Sequence, residues 1–182
     1  MKKSIGIFSV VIGAFGYAYM VALTMTGTCE GLSFTTFALW AALAWISGFS
    51  MLKQGANPAI PMVYGVGATS VALILLIKGK YLWTGLDTTI AVMVAICVVL
   101  WKTRGARWAL ILSVVAAVIA GVPFIMMTWR APSLSPIISN SAFLLANFLS
   151  FVSAKKWTLQ DRLYSGVNVG VCLALVIPWL IN

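Results

Sequence analysis

Histidine is absent from the 182 residues, and carboxylates number only three: Glu30, Asp87 and Asp161. Without imidazole no histidine-based catalytic triad can be assembled, and all three acids fall at expected loops or helix ends, so no pair of carboxylates shares an apolar segment. Cysteine is scarce as well. Cys29, Cys97 and Cys172 lack C-x-x-C spacing, which leaves a zinc site almost without ligands; Cys97 and Cys172 read as small apolar residues. No G-x-S-x-G, H-E-x-x-H or Walker pattern occurs. These absences argue against an enzyme, a metal centre or a cofactor. Ser–Lys chemistry stays formally open, although every lysine lies at a segment boundary.

Charge is the other shortage. Charged residues make up 8% of the chain and apolar ones 62%, far from the balance of a water-soluble domain. Divided among spans of roughly 20 residues each, the length accommodates seven transmembrane helices and short connections. The fold class expected is therefore all-α and polytopic, with no extramembrane domain. Twelve Lys and Arg give a net charge of +9, and in so apolar a chain this excess reads as topology and not as nucleic-acid binding.

Apolar stretches broken by Gly, Pro and charge place helices near 5–25, 32–52, 60–78, 85–101, 106–129, 136–154 and 163–181. Lys2 and Lys3 precede the first run, and with no A-x-A-like site after it an uncleaved first helix is expected. Nine basic residues (Lys2, Lys3, Lys53, Lys102, Arg104, Arg107, Lys155, Lys156 and Arg162) fall on one side of these spans, and Lys78, Lys80 and Arg130 on the other. The positive-inside rule then puts the N-terminus in the cytoplasm and the C-terminus outside an integral, plasma (inner) membrane protein. Trp83, Trp101, Trp108, Trp129, Trp157 and Trp179 lie near predicted helix ends, where indole prefers the interface. Trp40 and Trp45 instead fall mid-helix.

The chain also matches itself weakly. An offset of 100 aligns Tyr64–Ile77 with Tyr164–Ile177, with identity at 5 of 14 positions. An offset of 104 aligns Ser9-Val10-Val11 with Ser113-Val114-Val115, and an offset of 103 aligns Lys53 with Lys156. The three matches occur in the same order. They imply two three-helix repeats, residues 1–80 and 105–182, joined by a linker transmembrane helix over 81–104. One extra crossing between three-helix units brings the second into the membrane in the same direction as the first, so the repeats are parallel.

With this 3+1+3 organisation the chain resembles the PQ-loop superfamily, and in particular the SWEET and SemiSWEET sugar transporters. The second half carries the resemblance in Pro123-Phe124 of helix 5 and Val167-Asn168-Val169-Gly170 of helix 7; the first half has Tyr19-Met20 and Ala68 at the aligned positions. Trp45, one turn before Gly48, resembles the aromatic position of SWEETs in this helix. The vitamin-transporting PnuC family resembles the same plan.

Candidate binding residues are polar or aromatic groups inside apolar spans. An amide in hydrocarbon must find a partner, so Asn168 and Asn147 are expected to meet substrate or to bond a neighbouring helix. Gly166 and Gly170 form a small-x-x-x-small pair, and Asn168 projects away from it. Asn140 reads as helix entry or capping. Trp40 and Trp45, about 140° apart around one helix, offer a stacking surface from at most one of the two, core packing being the plainer role. Thr69 and Ser70 stand in helix 3 near the aligned place of Asn168. Tyr64 and Tyr164 read first as interfacial anchors and second as gate hydroxyls, and Pro123 as a hinge. No intramembrane carboxylate or imidazole is available to relay protons.

Together these features lead to the expectation of facilitated diffusion of a small, sugar-like polar solute by alternating access. The partners are that solute and the lipid bilayer, with a homo-oligomer left open. A PnuC-like vitamin or nucleoside transporter is the alternative, as is a non-transporting membrane subunit that binds a partner or lipid.

Overall fold

The computed structural model describes residues 2–27, 32–81, 83–131, 136–154, 156 and 158–181. Cys29, Glu30, Lys155 and Trp157 lie outside the described residues, as do the side chains of Lys2 and Lys3. Seven α-helices follow one another: α1 Lys2–Thr26, α2 Phe34–Lys53, α3 Ala59–Ile77, α4 Gly85–Thr103, α5 Ala106–Arg130, α6 Ile137–Ser153 and α7 Leu159–Ile181. Among the described residues there is no strand. Six of the helices are long and apolar enough to cross a membrane; α6, at 17 residues, is the short one. This is the character of an integral membrane protein.

Helix ends follow local chemistry. Thr84 and Asp87 close a capping box at the start of α4: the Asp87 carboxylate accepts the Thr84 amide at 2.8 Å, and Thr84 Oγ1 accepts the Asp87 amide at 3.3 Å. At the end of α3, Gly79 takes φ of +66°, and its neighbour Lys80 donates its N–H back to the Leu75 carbonyl. Glycine adopts this left-handed turn without a Cβ penalty, which is why the helix stops there. The last helix begins one turn earlier than its apolar pattern predicts. Asp161, in its first turn, accepts N–H groups of Lys156 and Asn57, which orders that polar turn despite its low hydropathy.

Six helices form a closed ring. α3 packs between α1 and α2, α7 packs between α5 and α6, and the two groups meet where α1 touches α6 and α2 touches α5. α4 lies outside, against α2 and α5. Apolar lipid removes the hydrophobic drive between helices, so close packing of small residues and interhelical hydrogen bonds must hold them. The two main contacts between the groups fit that rule. Ser9 Oγ of α1 donates to the Ala146 carbonyl of α6 at 2.9 Å, beside Gly13 and Gly16. Ser47 Oγ of α2 and Ser113 Oγ of α5 lie 2.8 Å apart, beside the fully buried Ala109 and Ala116. Exposed Trp83, Trp108, Trp129 and Trp179 fall near helix ends, as the interfacial reading expects.

Candidate functional site

The ring encloses a cavity of about 110 Å³. Every ring helix contributes to its wall, and no charged side chain among the described residues lines it. Its lower boundary is an aromatic layer to which α3 and α7 each contribute a tyrosine from their second turn. Tyr64 of α3 and Tyr164 of α7 face each other there with ring centroids 6.2 Å apart. Tyr17 and Phe143 complete the layer, with their centroids 5.3 and 5.2 Å from that of Tyr64. The cavity extends from this layer towards Phe37, Phe124 and Asn140, near the opposite ends of their helices.

Asn168 is on this wall, half-buried, one turn beyond Tyr164. Its Nδ2 donates to the Tyr164 carbonyl at 2.8 Å, and its carbonyl oxygen takes no hydrogen bond among the described residues. An amide with a free acceptor on a mostly apolar wall can orient a hydroxyl or N–H of a bound solute. Of its flanking glycines, Gly166 packs on the Phe151 ring of α6, whereas Gly170 meets nothing within 4 Å, so close packing is confined to one of the pair.

Asn147 lies behind the aromatic layer. Fully buried, it donates through Nδ2 to Tyr64 Oη at 2.7 Å and to the Phe143 carbonyl at 2.8 Å, while its Oδ1 has no partner. It does not line the cavity. It holds the Tyr64 hydroxyl in place and thereby joins the α1–α3 group to the α5–α7 group. Tyr64 and Tyr164 are only 6% and 5% exposed, which removes the interfacial-anchor reading for both. Both line one end of the cavity.

The two mid-helix tryptophans separate cleanly. Trp40 lines the cavity and meets Phe37 and Phe124 edge to face, at 5.3 and 6.2 Å. Trp45 turns to α3, where its ring occupies the space a Cβ on Gly65 would fill and its Nε1 donates to Thr69 Oγ1 at 3.3 Å. Thr69 and Ser70 each donate to the carbonyl four residues earlier, Gly65 and Val66, and neither lines the cavity. Pro123 lies within α5 with its side chain exposed from the bundle, and lines a second pocket. Its missing N–H leaves the Ile119 carbonyl without the usual helical partner, which is what a flexure point needs.

Tyr17, Phe143, Asn140 and Cys172 also line the cavity and were not legible as site residues. Glycines hold the overlooked clue. A Cβ on Gly67 would overlap the Tyr17 ring, and one on Gly16 would come within 2.6 Å of Phe143. Glycine inside a helix weakens it, and here each marks the seat of an aromatic ring from a neighbouring helix. No family model, curated protein or solved structure matches the chain.

Proposed function

We propose that this chain is a membrane transporter of a small uncharged polar solute, working by facilitated diffusion between two states of the helix ring. The observation that carries the reading is the cavity at the centre of the ring, without a charged side chain among the described residues, with two amides, Asn140 and Asn168, and one indole, Trp40, on its wall. Rings stack on the apolar face of a solute and an amide selects its hydrogen-bonding edge. The volume, about 110 Å³, is below the roughly 150 Å³ of an apolar cavity that takes up benzene. The state described is thus nearly closed around its cavity, and a sugar-sized solute needs the ring to open.

The proposal includes a SWEET-like construction from two parallel repeats, 1–80 and 105–182, around a linker helix, with the N-terminus cytoplasmic. It is supported by the packing order, since the third helix of each group lies between the other two. Matched positions also behave alike. Ser9 and Ser113, 104 apart, each bond across to the other group, and Trp40 and Phe143, 103 apart, both line the cavity. Rocking of one group against the other would break the Asn147–Tyr64 bond and part Tyr64 from Tyr164.

The aromatic lining favours a second reading, a vitamin or nucleoside with a planar ring, over a sugar with many hydroxyls. Purified protein in liposomes, offered a panel of labelled sugars, nucleosides and vitamins, decides. Equilibration of one class faster than in empty vesicles, lost in Asn168→Ala, is the expected result. If no solute moves, the chain is a non-transporting membrane subunit.

A further inference from the structure

A second pocket, of about 210 Å³, lies between α2, α4 and α5 at the end of the bundle opposite the tyrosine layer. Phe37, Trp40 and Phe124 line both this pocket and the central cavity. The two spaces therefore share a wall of three edge-to-face rings. We infer that this pocket is the antechamber of the central cavity, with Trp40 as the movable partition and the Asp87 carboxylate as a filter against anions.

Three observations meet in this assignment. First, Trp40 is held by packing alone: its Nε1 makes no hydrogen bond to any described residue, whereas the indoles of Trp45, Trp83 and Trp129 are tied to Thr69, Thr88 and the Ala174 carbonyl. An indole without a polar tether can change rotamer at the cost of packing only. Second, among the described residues Asp87 is the one charged side chain lining either space, and it is 7% exposed. Its Oδ2 accepts both the N–H and the hydroxyl of Thr84, while Oδ1 accepts nothing among the described residues. A carboxylate in so apolar a wall repels anions more strongly than it would in water, and attracts ammonium groups. Third, α4 packs against α2 and α5 from outside and leaves the ring itself complete. Walling this pocket gives the linker helix a use beyond carrying the chain across. The substrate class follows: within the uncharged solutes proposed above, one without an anionic group and thin enough to pass one displaced indole.

The inference rests on the transport reading for its purpose, but its test does not depend on flux. Cys172 lines the central cavity and is a native reporter. With Cys29 and Cys97 changed to Ser, protein in nanodiscs is treated with a cationic methanethiosulfonate, whose thioalkyl group joins Cys172 Sγ as a mixed disulfide while methanesulfinate leaves. Mass spectrometry gives the rate. Trp40→Ala is expected to raise it several-fold, and Thr36→Trp, which fills the antechamber, to lower it several-fold. Trp40→Phe serves if the alanine variant does not fold. An unchanged rate in well-folded Thr36→Trp, or no labelling of Cys172 even in the Trp40 variants, overturns the antechamber. The cationic-to-anionic rate ratio, measured with a sulfonate reagent, should fall several-fold in Asp87→Asn, and an unchanged ratio overturns the filter. Loss of flux with these labelling results intact would sink the transporter and leave the antechamber standing.

Discussion

α3 and α7 carry matched stripes, yet only one of them opens on the cavity. At an offset of 100, Tyr64, Ala68, Val71, Ala72 and Leu75 correspond to Tyr164, Asn168, Val171, Cys172 and Leu175. All five residues of α7 line the cavity, but only Tyr64 of α3 does. The rest of the α3 stripe is sealed in a cluster with Met20, Phe37 and Ala41, against which Tyr17 also packs. The residue 104 positions after Tyr17 is Gly121, itself on the cavity wall. Where the first group places a ring on its third helix, the second places none, and the space left over is the site. A cavity in a two-group bundle can thus arise from one small residue opposite one large one, without any difference in helix arrangement.

Tyr17→Ala attacks this difference most directly. It should uncover the α3 stripe, enlarge the cavity towards Ala68, and destabilise the protein by about 3–5 kcal/mol, as for large aromatic truncations. A thermal melt in detergent checks this; a loss below about 1 kcal/mol would mean that Tyr17 does not cover α3. Next come reciprocal exchanges at the matched position. Ala68, 1% exposed, should tolerate Asn poorly, at a cost of about 1–3 kcal/mol for a buried unsatisfied amide. Asn168→Ala loses only a bond to its own helix, so its melt should shift by less than about 1 kcal/mol while flux disappears.

The two tyrosines offer a finer contrast. Tyr64→Phe removes one of the two acceptors of Asn147 and should cost about 1 kcal/mol, whereas the Tyr164 hydroxyl makes no hydrogen bond to described residues and Tyr164→Phe should be close to neutral. Equal effects in unfolding titrations would dissolve that asymmetry. Smallest are Ser9→Ala and Ser113→Ala, at about 0.6 kcal/mol each for interhelical hydrogen bonds in a membrane protein. Similar values would strengthen the repeat reading, and a gap of more than about 1 kcal/mol between them would weaken it.

Much of the architecture could be read ahead of the coordinates, because each helix is an uninterrupted apolar run ending at glycine, proline or charge. Gly79 and Gly105 take positive φ just beyond α3 and α4, where those runs stop. α7 begins a turn before its apolar run because Gln160, Asp161 and Arg162 are polar in pattern but held in place, the Asp161 carboxylate taking amides from two loops. Within the site, Asn168, Trp40, Tyr64 and Tyr164 were among the residues singled out and do meet the cavity. Trp45, Thr69 and Ser70 were chosen on the same grounds but are occupied with one another or with their own helix. Tyr17 and Phe143 looked like ordinary core aromatics, since nothing along the chain tells which ring a distant glycine will seat.

What the amino-acid sequence determined by itself is the solvent and the helices. With 62% apolar residues and 8% charged, the backbone must satisfy its own hydrogen bonds in segments long enough for a bilayer. What only the tertiary structure decided is which face of each helix meets the cavity. Helical periodicity fixes the angle between Trp40 and Trp45 but not the rotation of α2 against its neighbours. That rotation is set by where Gly65 of α3 lets the Trp45 ring approach, and it leaves Trp40 beside the cavity and Trp45 against α3.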